Sequence, residues 1–309
     1  MMAPPILRFS GWMCCLVLVA AWVDAPAETI TLVPAADTSL FDLNGGANNL
    51  GGSTTLVVGT TASGSSSRAL VRFDVANSLP PQAIITSAQL NLVVIKANVA
   101  GVASIFEIHR LLQSWGEGNK TGNTGAPATA GETTWFQRFA PTNEWSVPGA
   151  SAPLDFSPEA SASTNVDLPN TYTFGPSSNL LEDVEMWFTN SAANFGWIIF
   201  SQSQGTNFTS RRIGAREDAV NSPTMVVDFV PPPKIVNPDR FGTNCTFHFT
   251  VEAGFDYTVE YTDTFPPFNW VALTNFTAKL ASFEAGVTNS FLESSNRFFR
   301  LNRVPCNCR

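Results

Sequence analysis

The stretch from Arg68 to Val94 constrains the fold of this chain most, because it has the pattern of two strands joined by a rigid corner. The alternation of a half-buried strand is present on both sides of the corner, at Ala69, Val71, Phe73, Ala88, Leu90, Leu92 and Val94. Between them, Pro80 and Pro81 lack the amide hydrogen that a strand ladder needs, so residues 77–82 are predicted to form a turn. The pattern therefore predicts a β-fold with these alternating side chains in its core.

The composition agrees with an all-β protein that has polar, uncharged loops. Phenylalanine occurs 24 times and only 14% of the residues are charged, and aromatic residues are favoured in strands. The net charge is −8 and no run of basic residues is present. This balance argues against nucleic acid or an anionic membrane as the partner.

The first residues have the organisation of a signal peptide. Arg8 is positively charged, an apolar run extends from Trp12 to Val23, and residues 25–27 are the small residues of a cleavage site. We therefore expect residues 1–27 to be removed and the mature protein to be secreted, either to the extracellular space or to the cell surface. No later stretch approaches the roughly 18 apolar residues of a membrane span, so the mature chain is expected to have none. An uncleaved membrane anchor is the alternative, and the shortness of the apolar run argues against it.

Three consecutive prolines, Pro231 to Pro233, mark the clearest domain boundary, because such a triplet forms a stiff linker that cannot enter a sheet interior. We expect a β-domain at residues 28–230, a linker at 231–237 and a smaller β-domain at 238–309. Short strand-like segments predict a small β-sandwich in the second domain, at residues 245–251, 257–261, 270–273 and 297–303.

The cysteines of the mature chain all lie in this second domain. In an oxidising compartment Cys245 is expected to form a disulfide with Cys306 or with Cys308. A zinc site would need a fourth ligand, and Cys306-Asn-Cys308 lacks the two-residue spacing of a zinc knuckle. The sequence therefore assigns no metal ion to these cysteines.

A polar segment after the first predicted strand has the oxygen atoms that a calcium ion requires. Its candidate ligands are Asp37, Asp42, Asn44, Asn48 and Asn49. The alternative is that these side chains stabilise turns by bonding to the backbone. No cofactor other than this structural calcium ion is expected.

Several short motifs follow one another along the first domain: RALVRFD at Arg68–Asp74, LPPQAIITSAQLNL at Leu79–Leu92, SWGEG at Ser114–Gly118, TTW at Thr133–Trp135, Trp145 and AANFGWII at Ala192–Ile199. In this order they resemble the DNRLRE domain family, which is related to disaggregatase-type repeats and to carbohydrate-binding modules that recognise acidic algal polysaccharide. The resemblance covers roughly residues 28–230. It implies a jelly-roll-like β-sandwich in extracellular bacterial proteins, usually without catalytic activity.

The second domain has motifs of its own: YTVEYTD at Tyr257–Asp263, NW at Asn269–Trp270 and RFFRL at Arg297–Leu301. They resemble the short C-terminal β-domain of secreted proteins of verrucomicrobial type. The expected fold class is thus all-β, with a jelly-roll-like β-sandwich followed by a second, smaller β-sandwich.

No catalytic signature is present in the sequence. The nucleophile-elbow, zinc-protease, dinucleotide and P-loop patterns are absent. His109 and His248 fall in predicted strands of different domains, with His109 expected on the solvent side of its strand. Glu117, Glu132 and Glu144 are acids that a glycoside hydrolase would need in a pair, but acids in a loop are usually solvated. We therefore expect a protein that is not an enzyme.

The candidate ligand-binding residues lie mainly in the long polar region between residues 115 and 158. Trp115, Trp135 and Trp145 offer flat rings to the apolar faces of sugars, and Glu117 lies beside them as a hydrogen-bonding partner. The alternative is that these tryptophans pack the region onto the sandwich. Arg72, on a polar strand face, is a candidate partner for an acidic sugar, and its alternative is a solvated arginine.

The sequence favours a secreted, non-catalytic protein that binds polysaccharide or a cell-surface glycan, or that acts at the cell surface. Two alternatives remain at this stage. One is a structural or adhesive surface protein without a sugar ligand, and the other is a polysaccharide-cleaving enzyme.

Overall fold

The computed structural model describes residues 27–98, 100–264, 267, 269–290 and 297–306. The expected signal peptide lies outside these residues, except for Ala27. The chain divides into two compact units, one comprising Ala27–Pro232 and the other containing Pro233–Arg309. The predicted all-β sandwich class is confirmed, because strands predominate in both units. No helix in the described part of the chain is long and apolar enough to cross a membrane.

The first unit is built from fifteen described strands and one α-helix. The helix is α1 (Ser178–Thr189), and the strands are β1 (Glu28–Leu32), β2 (Pro34–Phe41), β3 (Asn48–Asn49), β4 (Thr55–Thr60), β5 (Ser66–Phe73), β6 (Ile84–Ala97), β7 (Ser104–Arg110), β8 (Ala126–Pro127), β9 (Gln137–Phe139), β10 (Asn143–Glu144), β11 (Ala162–Val166), β12 (Asn170–Phe174), β13 (Trp197–Ser201), β14 (Arg211–Gly214) and β15 (Thr224–Val230).

Eleven of these strands form two sheets that share β4, while β3 with β8 and β9 with β10 form separate two-stranded sheets. Sheet A contains β1, β15, β6, β12 and β14, and sheet B contains β2, β5, β13, β7 and β11. One part of β4 pairs with β14 of sheet A, while Gly59 and Thr60 pair with β5 of sheet B. All the pairs are antiparallel, and the inward side chains of both sheets form one hydrophobic core.

The stretch from Arg68 to Val94 connects the two sheets. Its first arm is β5 in sheet B and its second arm is β6 in sheet A. The proline-containing segment between Phe73 and Ile84 turns the chain from one sheet to the other. The predicted strands and core are confirmed, because the alternating residues are almost fully buried: Ala69, Val71, Phe73, Ala88, Leu90, Leu92 and Val94.

The spacing of Leu180, Val184 and Trp187 gives residues 179–189 one apolar face and so predicts an amphipathic helix, which the structure confirms as α1. The hydroxyl of Ser177 accepts a hydrogen bond from the backbone amide of Leu180 and so caps the first turn. Leu180, Val184 and Trp187 join the core, where the Trp187 ring centroid lies 4.5 Å from that of Trp197 on β13. The helix therefore packs against inward-facing residues of both sheets.

The chain between β7 and β11, which we call the excursion (residues 111–161), lies on the outer face of sheet B. Its buried residues form a second hydrophobic cluster with outward side chains of the sheet such as Leu70 and Ile198. The expectation that His109 faces solvent is wrong, because the excursion covers it. Its Nδ1 lies 2.9 Å from the Ser157 carbonyl, and its ring stacks on Phe200.

The second unit contains two three-stranded antiparallel sheets among its described residues. Its strands are β16 (Val236–Phe241), β17 (Asn244–Val251), β18 (Phe255–Thr262), β19 (Val271–Phe276), β20 (Phe283–Ser290) and β21 (Phe298–Pro305). One sheet has the order β16-β17-β20 and the other β19-β18-β21. Their inward residues share a hydrophobic core centred on Phe247, Phe249, Tyr257 and Val259.

The expected disulfide between Cys245 and Cys306 is not formed. Cys245 is a free, half-buried thiol on β17. Cys306 is disulfide-bonded, so its partner is not Cys245. Cys308 lies outside the described residues. Residue types and spacing left both pairings open, because they carry no information on which strands become neighbours.

Candidate functional site

The structure places the three expected tryptophans in the interior of the excursion. Trp115 and Trp145 are only 5% and 4% exposed, and their indole nitrogens donate to the carbonyls of Phe195 (2.8 Å) and Thr134 (3.0 Å). Both rings belong to the cluster that packs against sheet B. Their faces are therefore covered by protein, which is the arrangement that the packing alternative requires.

Trp135 is half-buried and packs against the backbone of Gly149. A Cβ atom at Gly149 would lie 2.6 Å from Cζ2 of the indole, and Gly149 has a φ of +86°. On another side, the guanidinium carbon of Arg68 lies 5.6 Å from the ring centroid. Arg68 itself is bonded to Gln204, Gly149 and Ala150, and burial lowers its pKa to about 10. The surroundings of Trp135 thus tie the excursion to β5.

Arg72 is brought next to Trp115, its guanidinium carbon lying 5.9 Å from the ring centroid. It is half-buried at the edge of the covered face. Within the described part of the chain, no carboxylate forms an ion pair with Arg72, although ten other ion pairs are present. Two expected site residues, Arg72 and Trp115, are therefore neighbours.

Glu117 belongs to a different group, which we call the acidic cluster (Asp37, Glu117, Arg216 and Glu217). Its Oε1 accepts hydrogen bonds from the backbone amide of Asp37 (2.9 Å) and from Nε of Arg216 (3.0 Å). Arg216 also pairs with Glu217 at 2.6 Å. The guanidinium of Arg216 thus bonds two carboxylates, and Glu117 joins the excursion to Asp37 of β2.

The buried carboxyl groups of the acidic cluster are poorly compensated. Asp37 is 1% exposed, its Oδ2 accepts only the backbone amide of Arg216, and its Oδ1 has no hydrogen-bond partner. Burial, reinforced by Glu217 and Glu117, raises the pKa of Asp37 to about 7. Burial also raises the pKa of Glu117. The cluster therefore favours a proton on one of its acids near neutral pH.

The expected calcium ligands are bonded to protein groups instead. Asp42 accepts from the amide of Ser66 (2.8 Å), Asn48 donates to the carbonyl of Thr124 (2.9 Å), and Asn49 donates to the carbonyls of Glu117 and Thr133. The side chain of Asn44 lies outside the described residues. No three Asp, Glu, His or Cys side chains in the described ranges are grouped so that they could hold a metal ion. The bonded backbone groups belong to distant segments rather than to the turns of these residues themselves.

A concave region lies at the C-terminal end of β6 in sheet A, beside β14. It is a cleft of about 180 Å³, which we call the cationic cleft. Its lining contains two basic side chains, one aromatic ring and several polar groups: Thr61, Ala62, Lys96, Ala97, Asn98, Phe208, Ser210 and Arg212. None of the lining residues is acidic.

Strand pairing places the two cations of the cationic cleft side by side. Arg212 on β14 is the direct partner of Lys96 on β6. Lys96 is exposed, and Arg212 is half-buried and donates to Thr55 and to the carbonyl of Asn123. Neither cation has a carboxylate partner among the described ion pairs. Their positive charge is therefore available to an anion.

The aromatic wall of the cationic cleft is held in an unusual backbone conformation. Phe208 has a φ of +68°, a left-handed value that a bulky residue rarely adopts. Its carbonyl accepts hydrogen bonds from the amide of Val102 and from Nη1 of the fully buried Arg211. Such strain persists only where surrounding contacts impose it, and it is common at binding sites.

Sequence reasoning did not find the cationic cleft. Lys96 and Arg212 are isolated from each other along the chain, and neither forms a motif with its neighbours. The only local signal is the pair Arg211-Arg212 at the start of β14, where alternation directs one arginine inward and the other outward.

Comparison with known proteins supports a carbohydrate-binding-module-like domain. Residues 28–147 match the family model of carbohydrate-binding module family 96. No curated protein matches the chain. An alignment with the crystal structure of beta-1,2-glucanase from Parabacteroides distasonis has 12% identity and a TM-score of 0.17, and it covers 90% of this chain but only 36% of that chain. A likeness that weak carries no argument about function.

Proposed function

We propose that the protein is a secreted, non-catalytic polysaccharide-binding protein whose cationic cleft holds one acidic sugar residue of a polymer. The observation that carries the proposal is the pairing of Lys96 with Arg212 in a concave site that contains no acid. The match to a carbohydrate-binding module family makes a glycan the natural ligand.

The chemistry of the cationic cleft suits a uronic acid. The sugar carboxylate would bind between Lys96 and Arg212 through charge-assisted hydrogen bonds. The ring of Phe208 offers an apolar surface to the C–H face of the sugar, and Asn98 and Ser210 offer hydrogen bonds to its hydroxyl groups. The volume lies below the roughly 300 Å³ at which pockets for drug-sized ligands begin, so the cleft suits one residue of a chain.

Secretion and domain organisation form part of the same proposal. The leader at residues 1–27 supports export, and the ordered motifs support assignment of residues 28–230 to the DNRLRE type. We place the linker at 231–237 and a C-terminal β-domain of verrucomicrobial type at 238–309. The absence of a catalytic motif from the sequence supports a binding role rather than an enzymatic one.

Arg72 is the expected site residue that stays available as a second contact. It is partly exposed and lies beside Trp115, and no carboxylate of the described ion pairs neutralises it. We assign it a supporting role, in which it binds a further acidic unit of the same polymer. The buried ring of Trp115 supports this arginine from one side.

Affinity electrophoresis of the full chain tests the proposal. Native gels containing alginate or polygalacturonate should retard the wild-type protein, and the double variant Lys96→Ala/Arg212→Ala should migrate as in a gel without polymer. Lys234→Ala, an exposed cation outside the first unit, is the matched control and should be retarded like the wild type. Added salt should weaken binding, because the Debye length shortens to about 8 Å at 0.15 M.

Two results would overturn the proposal. The first is equal retardation of the wild type and the double variant, which would remove the cationic cleft from binding. The second is no retardation of the wild type by any polyuronate. Arg72→Gln in the same gels should reduce retardation without abolishing it.

A further inference from the structure

The residue before Arg212 on β14 is Arg211, a fully buried arginine. Its strand has neighbours on both sides, because Arg211 pairs with Val58 of β4 and with Ala97 of β6. Alternation points its side chain to the opposite side of the sheet from that of Arg212. Taking a guanidinium out of water is costly, so its donors need partners inside the protein.

The guanidinium of Arg211 bonds to backbone carbonyls in three separate connections between strands. Its Nη1 donates to Phe208 (3.2 Å) and to Ser210 (3.1 Å), which lie between β13 and β14. Its Nη2 donates to Val102 (2.9 Å), between β6 and β7, and its Nε donates to Asp167, which follows β11. One buried side chain therefore fastens three connections to one another.

Two of these carbonyls belong to residues that line the cationic cleft, Phe208 and Ser210. The carbonyl of Phe208 also accepts the amide of Val102 (3.2 Å). The φ of Phe208 is +68°, a value that a bulky residue keeps only where its surroundings impose it. The hydrogen bonds from Arg211 and Val102 to its carbonyl are such a constraint.

The support of Phe208 comes from the protein side of its segment. Residues 205–207 are exposed, whereas Phe208 is half-buried. Other hydrogen bonds hold its neighbours rather than its own carbonyl, such as the one from the amide of Gly205 to Oγ1 of Thr60 (2.9 Å). A wall that is already ordered saves the ligand the cost of ordering it on binding. Arg211 should therefore affect affinity as well as stability.

We propose that Arg211 is a positioning residue of the cationic cleft, which holds the Phe208 wall in the conformation that receives a sugar ring. This inference rests on the proposed function of the cleft, and it adds a residue that does not touch the ligand. Lys96 and Arg212 bind the acidic group directly, whereas Arg211 acts through the carbonyl of Phe208.

Amide hydrogen exchange tests the positioning without any ligand. The compact ammonium of Arg211→Lys cannot span three connections, so the Val102 amide should exchange about tenfold faster than in the wild type. Arg211→Gln, which keeps one donor group, should have a similar effect. Amides of β13 (Trp197–Ser201) report on the fold and should exchange as in the wild type.

Two exchange results would overturn the inference. One is an unchanged rate at the Val102 amide in both variants. The other is a general loss of protection that includes β13 in both variants, because Arg211 would then stabilise the whole unit rather than position the wall of the cleft.

Native gels containing polygalacturonate test the effect on binding. Arg211→Lys should weaken the affinity about tenfold, with the salt dependence of the wild type, because Lys96 and Arg212 remain in contact with the polymer. In the background of Phe208→Ala the same substitution should cost little more, since it acts through Phe208.

Arg68→Lys is the matched control. Arg68 is a half-buried arginine of the same unit that also donates to backbone carbonyls, those of Gly149 and Ala150. This variant should bind polygalacturonate like the wild type. An equal loss in Arg68→Lys, or fully additive losses in the double variant of Arg211 and Phe208, would overturn the inference. Failure of the proposed function would appear separately, as a wild type that no polyuronate retards, and the exchange of the Val102 amide would still decide whether Arg211 holds the wall.

Discussion

Replacing Asp37 with asparagine is expected to change how the stability of the first unit depends on pH. Asp37 is 1% exposed, and its Oδ1 has no hydrogen-bond partner. Burial, with Glu217 and Glu117 nearby, raises its pKa from 3.8 to about 7. Asparagine has nearly the same shape and keeps an oxygen to accept the amide of Arg216, but it carries no charge to desolvate.

The sign follows from proton linkage. Between pH 3.8 and about 7 the folded chain holds the Asp37 proton more tightly than the unfolded chain does. The free energy of unfolding therefore falls as the pH rises through this window. One pKa unit corresponds to about 1.4 kcal/mol, so ionisation of Asp37 destabilises the fold by about 4 kcal/mol once the pH exceeds 7.

Urea denaturation of the wild type and of Asp37→Asn at pH 5 and at pH 8 measures the effect. Tryptophan fluorescence follows the first unit, which holds the buried Trp115, Trp145, Trp187 and Trp197. The wild type should lose on the order of 2–4 kcal/mol between the two pH values, and Asp37→Asn should lose much less. Glu159→Gln, an exposed acid, should follow the wild type.

Two observations would refute this reasoning. One is a wild-type stability that is the same at pH 5 and pH 8. The other is an Asp37→Asn variant with the pH dependence of the wild type, which would mean that the proton is bound elsewhere. A variant that is more stable than the wild type at pH 8 would agree with the removal of an uncompensated buried charge.

Two further predictions concern the excursion. Trp115→Ala should destabilise the first unit by about 3–5 kcal/mol in the same denaturation assay, because the ring is buried against sheet B. The control Phe136→Ala, which removes a 39% exposed side chain, should cost less than about 1 kcal/mol. Equal losses of stability in the two variants would contradict the packing role of Trp115. Gly149→Ala should lower the melting temperature more than Gly131→Ala, since both glycines have positive φ but only at Gly149 does a Cβ meet an indole ring, at 2.6 Å. Equal shifts would mean that backbone strain alone decides the outcome.

The local alternation of side chains predicted much of the fold. The two strands and the turn between Arg68 and Val94 could be predicted from the local sequence, because a period of two and a pair of prolines depend only on neighbouring residues. The amphipathic spacing of Leu180, Val184 and Trp187 is local in the same sense, and it correctly predicted α1. What the pattern left open was that β5 and β6 belong to different sheets.

The candidate sites depended on contacts between distant parts of the chain. Alternation shows that a strand has two faces, but it does not show which face another segment covers. The excursion buries His109, Trp115 and Trp145, and strand pairing brings Lys96 beside Arg212.

The sequence by itself determined the strands, the helix and the all-β class, because these follow from neighbouring residues and their spacing. Only the tertiary structure decided that Trp115 and Trp145 pack, that Asp37 lies buried beside two other acids, and that an uncompensated pair of cations lines a cleft. The physical reason is that the burial of a side chain and the charges around it depend on the segments that pack against it, and those segments are distant in the sequence.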